Sequence, residues 1–161
     1  MMMNDKENIV IVGAGGAGSS IARQLSKTLD PTKHNLILIS PRNYMVYYPI
    51  IIRTLVNTGV NEEQALIPLD NLFQPGRGTL MVGKVASITD QGAHGGYVTL
   101  EDGTKVDWSV LVLAPGSIWE GPAAFPDTKE ESMNHMREWK RKLQAARNIV
   151  IAGAGAVGVG K

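Results

Sequence analysis

The 161-residue sequence contains no cysteine, which excludes disulfide bonds and thiolate chemistry and allows a reducing compartment. Aromatic residues make up only 6% of the chain, and the formal net charge is +1. Because acidic and basic residues are mixed along the chain, no charge excess indicates binding to nucleic acid or to an anionic membrane. No apolar run approaches the ~20 residues that a membrane-spanning helix requires.

The first residues, MMMNDKEN, are polar and lack the basic start and apolar core of a signal peptide. We therefore expect a soluble, cytoplasmic protein without a transmembrane segment, and peripheral membrane contact through a missing part stays open. His34, His94 and His135 are scattered along the chain, and no second ligand lies at metal-binding spacing, so no metal site is predicted.

Glycine, in contrast, is plentiful, with 18 residues, and the first glycine-rich segment follows an apolar run. Ile9 to Val12 is a continuous apolar stretch of the kind found in parallel strands buried on both faces. Residues 19–29 carry apolar side chains at the spacing of one helical face, and Leu36 to Ile39 indicates a second buried strand. Strand, glycine turn, helix and strand predict a right-handed βαβ unit.

The glycine turn has the pattern G-x-G-x-x-G between the strand and the amphipathic helix. Gly13 allows the tight turn, Gly15 lets the backbone approach a pyrophosphate, and Gly18 lets the helix pack closely on the strand. The amide groups at the start of the helix then face an anion, and the helix dipole favours its binding. The sequence therefore predicts a dinucleotide site formed by Gly13, Ala14, Gly15, Gly16, Ala17 and Gly18.

The end of the second strand departs from the usual pattern, in which an acidic residue binds the adenosine ribose. Ser40 stands there, followed by Pro41 and Arg42. One interpretation is an NADP pocket, with Ser40 and Arg42 holding a 2′-phosphate. A second is FAD, with the serine hydroxyl in place of the acid, and a third is a strand end on an exposed loop. The local residues leave the first two interpretations open.

The rest of the chain does not continue as an NADP-only Rossmann domain would, with strand and helix in alternation. A β-meander is predicted at about residues 79–116, with Asp102-Gly103 as a hairpin turn, and a polar helix at about 129–147. The segment NIVIAGAGAVGVGK then repeats the frame of NIVIVGAGGAG near the start. The predicted fold class is α/β, a Rossmann-like βαβ lobe with an inserted β-meander, followed by the first strand of a second Rossmann domain.

This order resembles the two-dinucleotide-binding-domain flavoproteins of the pyridine nucleotide–disulfide oxidoreductase superfamily. The similar stretches are GKVASITD, DWSVLVLAPGS and the segment that ends in NIVIAGAGAVG, and the most similar branch is the apoptosis-inducing-factor-like, ferroptosis-suppressor-like one. In that family the first glycine motif holds FAD and the second holds NAD(P)H. The resemblance implies an N-terminal part of an FAD-binding domain at residues 1–147 and a truncated start of an NAD(P)H-binding domain at 148–161.

The resemblance also implies further contacts with FAD. The residue matching Val85 meets the adenine through its backbone, and the turn that leaves the FAD domain matches Ala114 to Gly116. A proline near the flavin and an arginine on the cofactor match Pro49 and Arg53. Gly153, Gly155 and Gly158 form the second motif, which we interpret as a vestigial NAD(P)H motif.

The activity implied by the resemblance is that of an FAD-dependent NAD(P)H oxidoreductase, with a hydride passing from NAD(P)H to FAD and electrons on to a quinone-like acceptor. The absence of cysteine excludes the disulfide-using branches. Because the cofactor carries the chemistry, no catalytic side chain is predicted. The chain alone is expected to be inactive. The alternatives are a non-catalytic FAD-binding or partner-binding fragment, and an NADP-binding reductase domain that uses Ser40 and Arg42.

Overall fold

The computed structural model describes residues 6–56, 59–153 and 155. It divides into two compact units, one within Met1–Met45 and Pro68–Gly116, the other within Val46–Ile67 and Ser117–Lys161. The elements follow in the order β1 (Glu7–Val12), α1 (Gly16–Thr28), β2 (His34–Ser40), β3 (Tyr44–Val46), α2 (Tyr48–Val56), β4 (Leu66–Pro68), β5 (Thr79–Val82), β6 (Val85–Asp90), β7 (Gly96–Leu100), β8 (Lys105–Trp108), β9 (Val110–Leu113) and α3 (Lys129–Ala145).

The first unit is built on a four-stranded sheet in the order β5-β2-β1-β9. All three strand pairs are parallel, with Ile9 aligned to Leu36 and to Val110, and Ile37 aligned to Thr79. The predicted βαβ unit is therefore present as β1, α1 and β2. This confirms the α/β fold class.

Both faces of the central strands are covered, as the continuous apolar run of β1 predicts. Side chains alternate between two cores because successive residues of a strand point to opposite faces. On one face, Ile9 and Ile11 pack with Ala22 of α1. On the other face, Val10 and Ile39 pack with the meander strands, among them Val98 of β7.

The meander is an antiparallel sheet in the order β6-β7-β8. It is shorter at both ends than the predicted 79–116, because β5 and β9 belong to the parallel sheet instead. In β5 the two successive residues Leu80 and Met81 contact the two different cores, as expected for a strand inside a sheet covered on both faces. The hairpin turn predicted at Asp102-Gly103 is present, with Gly103 at φ +86°.

The second unit joins two helices that the sequence places far apart, α2 and α3, which pack on each other. Met136 is fully buried and its sulfur lies 3.8 Å from the Thr54 hydroxyl. The segment predicted as one domain, residues 1–147, therefore contributes to both compact units. Within the second unit, the apolar face of α2 packs on α3. The predicted helix at 129–147 is observed as Lys129–Ala145.

The strand predicted at Ile149–Ile151 does not form. These three side chains are exposed, Val150 to 92%. An isolated strand has no partners for its backbone amides and carbonyls and no surface on which to bury its side chains. No described helix is both long and apolar enough to cross a bilayer.

Candidate dinucleotide-binding site

The parallel sheet places the carboxyl ends of β1, β2, β5 and β9 at one edge. Backbone hydrogen bonds of 2.8 Å join these ends: Gly13 N–H donates to the Ile39 carbonyl, Ala114 N–H to that of Val12, and Gly83 N–H to that of Ser40. β1 has β2 on one side and β9 on the other, so the chain runs from β1 to neighbouring strands on both sides of it. Such a switch point opens a crevice at which α/β sheets bind ligands.

Two glycines of the first motif are required by the chain itself. Gly13 has φ +100°, and a Cβ atom there would lie 2.1 Å from the Ala114 carbonyl oxygen. A Cβ atom on Gly18 would lie 1.8 Å from the carbonyl oxygen of Gly13. These distances are far below van der Waals contact, so the turn, the helix and the start of the 114–116 segment approach as closely as they do only because both residues are glycine.

Gly15 differs from these two, because nothing in the chain requires a glycine there. Its backbone is extended, with φ −70° and ψ −172°, a conformation that any residue adopts. A Cβ atom would meet no atom within 4 Å, and the residue is exposed. The open space beside Gly15 is therefore room for a ligand rather than for a neighbouring side chain.

The start of α1 has no side-chain cap and no acidic residue in its first turn. The first backbone bond of the helix runs from Ser19 N–H to the Gly15 carbonyl, and the amides before Ser19 have no partner within the helix. Helix α3 shows the ordinary alternative: Thr128 accepts a hydrogen bond from Glu131 N–H, and the Glu131 carboxylate accepts one from the threonine hydroxyl. The amino end of α1 instead offers exposed amides and a positive dipole to an external anion.

The Ser19 side chain stabilises the glycine turn by a hydrogen bond, a role that was not predicted from the sequence. Its hydroxyl donates a 2.9 Å hydrogen bond to the Ala14 carbonyl, and both residues are buried. This hydrogen bond joins the glycine turn to the first helical turn of α1. The signal in the sequence was a serine on the apolar face of α1, where an aliphatic side chain is expected.

Ser40 lies at the end of β2 and is 5% exposed. Its hydroxyl oxygen accepts a 3.2 Å hydrogen bond from Arg42 N–H, which shapes the loop and leaves the hydroxyl proton available for donation. The last residue of β2 therefore presents a hydroxyl group where the usual pattern has a carboxylate. The Arg42 side chain is half-buried in the same loop.

The remaining predicted contacts in the first unit lie on the segments that follow β5 and β9. Val85 begins β6, aligns with Leu100 and packs on the meander side of the sheet, two residues after the Gly83 bond to Ser40. Ala114 lies under the glycine turn, and Gly116 has φ +76°. The fold therefore brings the residues predicted at 13–18, 40, 42, 85, 114 and 116 to one edge of one sheet.

Pro49 and Arg53 belong to the second unit. Both are exposed residues of α2, four positions apart and therefore on one face of the helix. The opposite face carries the buried residues Ile51, Thr54 and Leu55. Of the second glycine motif, Gly153 has φ +110°, Gly155 has open space around it, and Gly158 lies outside the described residues. Among the residues that the structure describes, no cluster could hold a metal ion.

Comparison with known proteins matches residues 7–160 to the family described as pyridine nucleotide-disulphide oxidoreductase. The chain belongs to this family. Its curated relatives include the FAD-dependent oxidoreductase FVFD30 of Flammulina velutipes, 46% identical over 98 residues, which are 61% of this chain and 30% of that protein. Apoptosis-inducing factor 1 of Saccharomyces cerevisiae is 31% identical over 161 residues, or 98% of this chain and 39% of the relative.

A further relative is ferroptosis suppressor protein 1 of Xenopus tropicalis, 25% identical over 98% of this chain and 40% of that protein. Among solved structures, the sulfide:quinone oxidoreductase of Aquifex aeolicus shares the fold, with a TM-score of 0.66 and 24% identity over 86% of this chain and 32% of that one. The predicted membership in the pyridine nucleotide-disulphide oxidoreductase family is confirmed, and apoptosis-inducing factor and ferroptosis suppressor proteins are among the relatives of the chain. The chain spans less than half the length of each of these proteins.

Proposed function

We propose that this chain supplies the FAD-binding part of an FAD-dependent NAD(P)H oxidoreductase with a quinone-like electron acceptor. The observation that carries the proposal is the exposed, uncapped amino end of α1 beside Gly15, at the switch point of the parallel sheet. Family membership supports the choice of FAD for this first motif, since FVFD30 is an FAD-dependent oxidoreductase.

The residues present fit a dinucleotide. The amides of Gly15, Gly16 and Ala17 would hold the pyrophosphate, with the open space at Gly15 admitting it closely. The Ser40 hydroxyl would donate to a ribose oxygen, and the backbone near Val85 would contact the adenine. Pro49 and Arg53 on the exposed face of α2 are proposed for the flavin end.

When bound, FAD supplies the acceptor for a hydride from NAD(P)H and the donor of electrons to the acceptor. The protein groups named here bind and orient the cofactor, and the electrostatics at the amino end of α1 favour its diphosphate. No described acid or base of the chain is required to move a proton at the glycine turn. This accounts for a site built from backbone amides, one hydroxyl and small residues.

A second candidate is NADP binding, which the hydroxyl at the end of β2 and the nearby Arg42 favour. A 2′-phosphate there would accept hydrogen bonds from the Ser40 hydroxyl and the guanidinium, with no carboxylate at the end of β2 to repel it. The two candidates differ in the cofactor that the first motif retains.

The decisive measurement is a visible absorption spectrum after reconstitution of the purified chain with FAD and desalting. We expect flavin bands at a stoichiometry close to one per chain, and excess NADPH should not displace the flavin. A chain that excludes FAD and instead binds NADPH tightly would overturn the FAD assignment in favour of the second candidate.

A further test separates binding from catalysis. When NADH is added to the FAD-loaded chain without oxygen, the flavin bands are expected to stay unbleached. The physical reason is that Ile149–Ile151, which lead into the second glycine motif, lie exposed outside any sheet, so that motif has no strand to set its turn. Stoichiometric bleaching would show that the 161 residues form a working NADH site.

A further inference from the structure

A second cavity lies in the first unit, at the edge of the parallel sheet opposite the glycine turn. It has a volume of about 320 Å³ and is lined at the amino ends of three strands, by Lys6 before β1, His34 at the start of β2 and Thr79 at the start of β5. Six residues of a strand span about 20 Å, so this cavity and the proposed FAD site are well separated. Nothing in the proposed function uses it.

Among the described residues that line the cavity, three are basic, Lys6, His34 and Arg77, and none is acidic. The Nδ1 atom of His34 is buried and makes no hydrogen bond among the described residues. The Glu7 carboxylate, which is largely exposed, lies 3.5 Å from this atom and forms an ion pair with it when the ring is protonated. Because His34 has the Glu7 carboxylate as its partner, the positive charge available to an anion at this cavity comes from Lys6 and Arg77, and no described lining residue is acidic.

The loop that carries Arg77 is anchored to the core. Arg77 N–H donates to the Gln74 carbonyl at 2.9 Å, and Gln74 N–H donates to the Ser26 hydroxyl of α1 at 3.4 Å. A Cβ atom on Gly78 would lie 2.3 Å from the Phe73 ring, which itself packs on the core under α1. The position of the Arg77 backbone is thus set before any ligand arrives, which lowers the entropic cost of binding.

The lining also includes four apolar residues, Leu29, Leu36, Ile37 and Met81, beside the polar residues Asn35 and Thr79. An inorganic anion would contact the basic groups but would leave the apolar lining exposed to water. An organic anion would contact the basic groups with its charged head and the apolar lining with its body. The volume lies at the small end of the roughly 300–1,000 Å³ that ligand pockets occupy, so it suits a compact ligand and not a dinucleotide.

We infer that this cavity binds a small organic anion, with a phosphate or carboxylate head beside Lys6 and Arg77 and an apolar body against Ile37 and Met81. The test follows backbone amide signals of the ¹⁵N-labelled chain by NMR during titration with phenyl phosphate, benzoate, inorganic phosphate and benzyl alcohol. We expect saturable shifts at Gly78 and Thr79 with at least one aryl anion, and the tighter of the two identifies the head group. Inorganic phosphate and benzyl alcohol should bind on the order of tenfold more weakly, since each lacks one half of the contacts.

The variant Arg77→Gln should weaken the aryl anion about tenfold, whereas the matched variant Arg23→Gln, an exposed arginine of α1 away from the cavity, should not change it. Arg77 is exposed, so its replacement does not disturb the core. Loading with FAD should leave the affinity unchanged. The inference is wrong if no aryl anion gives saturable shifts, if inorganic phosphate binds as tightly, if Arg77→Gln has no effect, or if FAD displaces the probe.

Discussion

The variant Gly15→Ala is expected to lose FAD while the chain keeps its stability. The new methyl group would enter the open space into which the pyrophosphate is proposed to fit, and would separate the phosphates from the amides of α1. Charge-assisted hydrogen bonds of this kind contribute about 1.5–3 kcal/mol each. The loss of one corresponds to roughly a 10- to 100-fold weaker affinity for FAD, measurable by fluorescence titration.

The stability of Gly15→Ala without FAD should be unchanged or raised by up to about 1 kcal/mol, because alanine adopts this backbone conformation and restricts the unfolded chain. The matched control is Gly155→Ala, the same position of the second glycine motif, which is exposed and likewise has open space around it. Its affinity for FAD should equal that of the parent chain. Equal losses in both variants, or none in Gly15→Ala, would contradict the assignment of FAD to the first motif.

The variant Gly18→Ala is expected to destabilise the fold itself, by about 3 kcal/mol, in the range reported for overpacked sites. Its Cβ atom would lie 1.8 Å from the Gly13 carbonyl oxygen and 3.4 Å from Ala114 Cβ. Neither the backbone of the turn nor Ala114 can move away without separating α1 from the sheet. The free energy of unfolding, from urea titration followed by circular dichroism, measures the effect.

Gly16→Ala provides the control for this stability measurement, since it is the same substitution in the same helical turn. A Cβ atom on Gly16 meets nothing within 4 Å, and alanine is a better helix former than glycine by up to about 1 kcal/mol. Gly16→Ala should therefore be as stable as the parent chain or slightly more so. If the Gly16 and Gly18 variants had the same stability, the turn would be able to relax, and the close approach would not be what requires Gly18.

The two experiments together separate a glycine required for the ligand, Gly15, from a glycine required for the fold, Gly18. The sequence alone predicts the role of each from its place in the motif. The structure supplies a reason within the chain for Gly13 and Gly18 and none for Gly15, so only the last is expected to report on the ligand without affecting the fold.

Much of the first unit was predictable because its signals are local. The continuous apolar run of β1, the glycine turn and the helical spacing of α1 are each contained in a few neighbouring residues, and the hairpin at Asp102-Gly103 needs only its own turn. The resemblance carried by GKVASITD and DWSVLVLAPGS then indicated the family. The choice between FAD and NADP at Ser40 was left open by the local residues, and the comparisons support FAD through relatives rather than through Ser40 itself.

The errors concern features that depend on distant partners. β5 was assigned to the meander because its short apolar stretch precedes β6 directly, yet it pairs with β2 in the parallel sheet. The apolar face of helix α2 is covered by α3, more than seventy positions later, a pairing that the sequence did not predict. The role of Ser19 was missed because its partner, the Ala14 carbonyl, is placed beside it only by the closed turn.

The sequence by itself determined the family, the βαβ unit and the glycine turn, because strand, turn and helix propensities act over a few residues and their order is preserved along the chain. Tertiary structure alone decided which strands share the sheet, which helix covers α2, and whether Ile149–Ile151 becomes a strand. It also created the cavity lined by Lys6, His34 and Arg77, residues that no motif connects. The physical reason is that sheet pairing and burial are properties of surfaces brought together by folding, and a linear pattern does not contain the partner.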